Sequence, residues 1–302
     1  MFVLAIMLGA VVGAHPFFFQ TTPAVASDPE DKASAERPGL KKTAATAADI
    51  PFHGAPSHEN DLQLQQHLLE LANQDRARAG APPLTLDDGL SRAARIHAEA
   101  MFDARQLSHQ FNGEASLAQR LAASTKLQLD MEGENVALDY DAAGAELHLM
   151  HSPPHRENLL NPNYNVIGLG IVQSGDHLYV VQDFGHALPN YSAAEVKDRI
   201  AMAVAHSRRQ SGRTPLTRQD LVHADAAACS MTQADKLSAS PVHQLAQRYT
   251  VLSFTSLHPE SLPDGADRAI GGPNLRSFSL GACYGKTETY PTGVYWIVLS
   301  LD

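Results

Sequence analysis

The chain has 302 residues, 44% of them hydrophobic, and a formal net charge of -10. That apolar content suits one large or two modest cores. No long basic run is present, which argues against a nucleic-acid partner and against an anionic membrane surface, because phosphate binding needs clustered Lys and Arg.

Phe2 to Ala14 is an apolar run without charge, short of the roughly 20 residues that span a bilayer. Ala24-Val25-Ala26 follows with the small-x-small pattern a signal peptidase accepts. Residues 1–26 therefore read as a secretory signal, with a mature chain from Ser27 and no transmembrane span; an uncleaved anchor is the alternative. Residues 27–60 are charged and rich in Ala, Pro, Ser and Thr without periodicity, the pattern of a disordered linker. Asn60 or Asp61 can cap a first helix with Leu64, Leu68, Leu71 and Ala72 inward. Gly80 and Pro82-Pro83 end it. Asp87 or Asp88 caps a second helix with Leu90, Ala94, His97 and Met101 on one face. His97 on that apolar stripe reads as a packed histidine bonded to a backbone carbonyl rather than a ligand. A short helix is expected near Leu117–Leu121 and another over Ala142–His151, stopped by Pro153 and Pro154. Val166–Ile171 and Leu178–Phe184 read as strands of a hairpin turning at Ser174-Gly175-Asp176. The order implies an α+β sandwich.

The pattern then recurs. Arg76, Gly80, Pro83 and Leu84 match Arg208, Gly212, Pro215 and Leu216 at an offset of 132; Met101, Ala104, Leu107 and Ser108 match Met231, Ala234, Leu237 and Ser238 at 130. Leu117-Ala118-Gln119-Arg120 recurs as Leu245-Ala246-Gln247-Arg248 at 128. Slowly drifting offsets are what a duplicated unit with short deletions gives. The copy ends in two strand-like runs, Phe278–Tyr284 and Val294–Leu301, and it lacks the chemistry of the first, since Ala239 stands where the first has His109. Cys229 falls on its second helix and Cys283 on its first terminal strand. As the chain's two cysteines they form one disulfide in an oxidising compartment, or two buried thiols in a cytosolic one.

The candidate chemistry lies in three segments: Leu107-Ser108-His109, Gly133-Glu134-Asn135-Val136-Ala137, and Ser152-Pro153-Pro154-His155. Two imidazoles and a carboxylate can hold a divalent metal such as zinc with a position open for water. The same trio can instead form a hydrogen-bonded polar floor without metal. No serine lies in a Gly-x-Ser-x-Gly elbow, and neither cysteine has a nucleophile's motif.

With the opening Asn73-x-x-Arg76-x-x-x-Gly80-x-x-Pro83-Leu84 and the closing Gln182-Asp183-Phe184-Gly185, these segments make residues 61–187 resemble a bacterial CAP domain. CAP is the superfamily of cysteine-rich secretory proteins, insect antigen 5 and plant pathogenesis-related proteins. The resemblance implies an α-β-α sandwich over 61–187, with residues 188–302 as a smaller degenerate copy. It implies that His109, Glu134 and His155 line a cleft, and Asn135 and Ser152 are counted with them. Eukaryotic relatives place a tryptophan and a second glutamate where this chain has Leu149 and Ser152, and Pro154 stands where bacterial members often have Gly. Two functions remain open: an extracellular binding module for a small molecule, lipid or cell-envelope polymer, and a metal-dependent hydrolase using His109, Glu134 and His155. The missing glutamate favours the first, because no general base remains beyond the ligands.

Overall fold

The computed structural model describes residues 58–220 and 222–302. The secretory-signal reading of residues 1–26 and nearly all of the linker lie outside them. Among the described residues, no helix is long and apolar enough to cross a membrane.

The first unit runs α1 (His58–Ala79), β1 (Thr85–Leu86), α2 (Asp88–Ala104), α3 (Leu117–Ser124), β2 (Gln128–Asp139), α4 (Ala142–His151), α5 (Pro153–Leu160), β3 (Val166–Ser174) and β4 (His177–Leu188). Its sheet has the order β1-β3-β4-β2, so β2 is an edge strand. Alternation along β3 divides the core. Ile167, Leu169 and Ile171 pack under α1, α4 and α5, while Val172 joins Val136 and Val181 under α2. The result is the α-β-α sandwich the sequence implied.

Local rules set the boundaries. The Asp87 side chain caps α2, accepting from Leu90 N at 2.8 Å. Ser116 and Gln119 form a capping box that starts α3. Pro153 and Pro154 do more than stop α4: they occupy the first two positions of α5, where a missing N–H costs nothing. One expectation fails. Helix α1 begins at His58 rather than after Asn60 or Asp61, and the Asp61 carboxylate pairs with Arg95 of α2 at 2.5 Å instead of capping.

The second unit repeats the plan: α6 (Ala193–Gln210), β5 (Thr217–Gln219), α7 (Val222–Gln233), a 3-10 turn Ser240–Val242 leading into α8 (His243–Ala246), β6 (Thr250–Ser256), α9 (Ala266–Ile270), β7 (Ser277–Gly285) and β8 (Val294–Leu301). Its sheet order, β5-β7-β8-β6, corresponds strand for strand to the first. The registers coincide. Thr85 pairs in parallel with Val166, as Thr217 does with Ser277. Arg76 donates to the carbonyls of Pro82, Leu159, Asn161 and Tyr164. Arg208 donates likewise to those of Thr214, Ile270 and Gly272. Gly170 lets α2 lie against the sheet, since a Cβ there would sit 2.1 Å from Ala94 C. Gly281 does the same for Ala224 of α7, at the same 2.1 Å. The offsets read from sequence therefore mark a structural duplication.

Cys229 of α7 and Cys283 of β7 are bonded, with Cα atoms 5.1 Å apart. The units touch along the segment leading into β2. Lys286 Nζ donates to the carbonyls of Ala122 and Thr125, each at 2.9 Å. Thr292 Oγ1 donates to Leu129 O at 2.9 Å, and His258 Nε2 lies 3.1 Å from Asp130 Oδ2.

Candidate functional site

The site is built around the edge strand β2. Residue 134 faces the α2 side of the sheet and residue 135 the α4 side, so Glu134 and Asn135 feed two polar networks on opposite faces. His109 comes from the loop after α2 and His155 from α5. Their ring centroids are 6.5 Å apart.

On the α2 side, Glu134 Oε1 accepts from His109 Nδ1 at 2.9 Å, which leaves Nε2 of the exposed ring without a partner among the described residues. Glu134 Oε2 is paired with Arg120 of α3. Arg120 Nη1 also donates to His109 O at 3.2 Å and lies 3.3 Å from Glu114 Oε1. Glu114 Oε1 in turn faces His97 Nδ1 at 2.7 Å, while His97 Nε2 faces Ser108 O at 2.8 Å. Burial pushes the Glu114 carboxyl up, but the Phe111 N–H, His97 and Arg120 outweigh it and hold the group below the usual carboxylate range. Both nitrogens of His97 thus meet oxygen partners, one a carboxylate and one a backbone carbonyl. His97 does bond a backbone carbonyl, as expected; its carboxylate partner was not foreseen.

On the α4 side, Asn135 is fully buried. Its Nδ2 donates to His155 O at 3.0 Å and to Gln182 Oε1 at 3.1 Å, and its Oδ1 accepts from Asn158 Nδ2 at 3.0 Å. Gln182 Nε2 donates to Glu146 Oε2 at 2.8 Å. Asn135 therefore holds the backbone of His155 from the interior rather than from the surface. Ser152 is the joint between α4 and α5, and its side chain makes no capping bond. Burial and the neighbouring His109 lower the pKa of His155, which favours a neutral ring.

Gly133 opens the strand to these partners. A Cβ there would lie 2.4 Å from Tyr164 Oη and 3.2 Å from Asn158 Oδ1. Tyr164 cannot retreat freely, because it stacks on Phe184 at 5.4 Å and donates to Glu132 O at 3.1 Å. Gly133→Ala should cost about 1–3 kcal/mol by overpacking, read as a lowered urea midpoint. An unchanged midpoint would show that Tyr164 yields without strain.

The structure brings His109, Glu134 and His155 to one edge of the sheet, but not as three free ligands. Both Glu134 oxygens are engaged. Among the described residues, no group of three or more His, Cys, Asp or Glu is placed to hold a metal ion. What remains open is an imidazole pair above a buried ion network.

The second unit shows which of these residues the fold requires. Gly170 pairs with Val181 and Gly281 with Val298. From that anchor Asp183 corresponds to Ser300, and its cross-strand partner Glu134 corresponds to Val251. Gln182 and Asn135 correspond to Leu299 and Leu252. At the offset of 130, His97 corresponds to Ala227 and His109 to Ala239. Val251, Leu252, Leu299 and Ala227 are all buried. The same sheet order and register thus form with apolar residues at these core positions, so the architecture does not demand the polar networks of the first unit.

A duplicated α-β-α sandwich, with a histidine pair and buried ion network in one copy only, defines the class of protein. Residues 69–184 match the model of the cysteine-rich secretory protein family, CAP; the chain carries a CAP domain. The Bacillus subtilis (strain 168) protein YkwD is 32% identical over 147 residues, covering 48% of this chain and 56% of YkwD. The membrane protein YlbC of the same organism is 31% identical over 121 residues, covering 40% of this chain and 34% of YlbC. The chain thus spans about half or less of the length of these curated relatives. A solved extracellular SCP-domain protein from Bacillus anthracis str. Ames is 26% identical, with 44% of this chain and 45% of that chain covered and a TM-score of 0.39.

Proposed function

We propose that this protein is an extracytoplasmic binding module. Its cleft, between His109 and His155, takes a polar small molecule, a lipid headgroup or a segment of a cell-envelope polymer. The observation that carries this reading is the contrast between the two units. Buried charges are costly to keep unless they serve something, and the second unit folds with Val251, Leu252 and Leu299 where the first keeps Glu134, Asn135 and Gln182. Export is supported by the apolar leader closed by Ala24-Val25-Ala26 and by the Cys229–Cys283 bond, which suits an oxidising compartment. A metal-dependent hydrolase is supported less well, because Arg120 and His109 already hold the carboxylate it needs as a third ligand.

The test uses soluble peptidoglycan fragments, dodecanoate and zinc as separate probes, followed through the imidazole NMR signals of His109 and His155. Saturable shifts of both signals with fragments or dodecanoate, lost in His109→Ala and unaffected by chelator, with the probe recovered intact, are expected. Cleavage of a probe, or zinc bound stoichiometrically through all three residues, would overturn the reading in favour of the hydrolase. Absence of any shift would overturn the cleft as the binding site for these ligand classes.

A further inference from the structure

Asp183 lies in the interior of the first unit, and it makes none of the hydrogen bonds found around His109 and His155. It is fully buried. It lies directly opposite Glu134 in the β2–β4 pair, and cross-strand neighbours on one face have Cβ atoms only about 5 Å apart. Neither of its carboxyl oxygens accepts a hydrogen bond from any described group. An ionised carboxylate so placed would have no donor and would face another carboxylate.

The groups around it are already engaged with one another. Arg120 from α3 is the cation; Glu114 from the loop after α2 and Glu134 from β2 are its carboxylate partners, and His97 from α2 faces Glu114. His109 from the same loop, Glu132 of β2 and Tyr179 of β4 are further titratable groups on this face. An ionised Asp183 would add a buried negative charge, which is expensive in a medium that cannot solvate it. A protonated Asp183 removes that charge and gains a donor for Glu134.

We propose that Asp183 is carried as a neutral carboxylic acid whose proton is donated to Glu134, making Asp183 the residue that positions Glu134 and, through it, the His109 imidazole. Burial and the negative charge of Glu134 hold its carboxyl well above the usual carboxylate range, in agreement with the geometry. Glu134 then sits between three donors: His109 Nδ1, Arg120 and the Asp183 hydroxyl. Its orientation is over-determined, and so is the ring it holds. The role assigned to His109 rests on the binding-cleft reading; the protonation state does not. The second unit agrees with a donor role, since where Val251 replaces Glu134 the position of Asp183 is taken by Ser300, which carries no charge.

The experiment is infrared difference spectroscopy of the full chain at about pH 8, wild type against Asp183→Asn, with the His109 titration followed by NMR in parallel. A carboxylic-acid C=O band present in the wild type and absent from the variant is expected. The amide introduced by Asp183→Asn keeps an N–H donor toward Glu134, so the His109 titration should be unchanged in that variant and displaced in Asp183→Val. If Asp183→Asn does not fold, the Glu146→Gln variant, which removes the buried carboxyl of Glu146, should still show the acid band at the same pH. Lack of an acid band, or equal displacement of the His109 titration by Asn and Val, would overturn the proposal. Either outcome is read without any ligand, so failure here leaves the cleft reading standing and failure to bind probes leaves this one standing.

Discussion

Arg120→Ala is expected to destabilise the protein by about 3–5 kcal/mol, the cost of leaving one member of a buried ion pair alone. The side chains of Arg120 and Glu134 are only 7% and 4% exposed, so water cannot replace the guanidinium. The loss should also free the His109 loop, because Arg120 holds the carbonyl of His109 as well as the carboxylate that holds its ring. Removing both charges is a different matter. The second unit packs Val251 at the position of Glu134, and its matching Arg248 turns out to solvent. The double variant Arg120→Leu, Glu134→Val should therefore be more stable than Arg120→Ala by about 2 kcal/mol or more. Urea unfolding of the three proteins decides it. A double variant no better than the single one would mean that the network is structural, and would remove the contrast on which the binding-module reading rests.

The residues that meet at the edge of β2, His109, Glu134 and His155, stood out in the sequence because they lie in short local patterns. Ser108-His109, Gly133-Glu134-Asn135 and the proline-flanked His155 each announce themselves within a few positions. The repeat was legible for a related reason: Arg76 and Arg208 tie down carbonyls far away, but each stands at a fixed distance from its own Gly and Pro. What escaped were the partners. Arg120, Glu114 and Asp183 join the site only after β2 has paired with β4 and α3 has docked, and no spacing along the chain encodes that. One signal was available. Gln182 and Asp183 interrupt an otherwise apolar strand, Val180 to Phe184, and two polar residues in an interior strand need partners on both faces. The start of α1 escaped because an acceptable cap residue, Asp61, is used for an ion pair with Arg95 that only tertiary packing creates.

Glu146 should make the stability of the protein fall as pH rises from weakly acidic to neutral, and Glu146→Gln should abolish that fall. The residue is 2% exposed on α4. Gln182 Nε2 donates to one carboxyl oxygen at 2.8 Å, and the other has no partner among the described residues. Burial pushes the carboxyl from 4.5 up to about 7; the Gln182 bond opposes that rise and the charge of Asp75 adds to it. The sign follows from proton counts. With the folded value raised, the native state holds a proton that the unfolded chain has already released. The native state is then favoured fully below the unfolded value and progressively less up to the folded one, after which the loss is constant. At about 1.4 kcal/mol per unit the loss amounts to about 3 kcal/mol. The amide introduced by Glu146→Gln keeps an acceptor for Gln182 without ever ionising. The stability difference between Glu146→Gln and wild type should therefore grow by about 3 kcal/mol between about pH 4.5 and pH 8 in urea titrations; a constant difference would rule the mechanism out. The consequence reaches the cleft, because the chain of bonds from Glu146 runs through Gln182 and Asn135 to the carbonyl of His155. Ionisation of Glu146 would act on the α4 side of the sheet, the face opposite the one that holds Asp183. His155 should then respond to pH through this chain of bonds as well as through its neighbour His109.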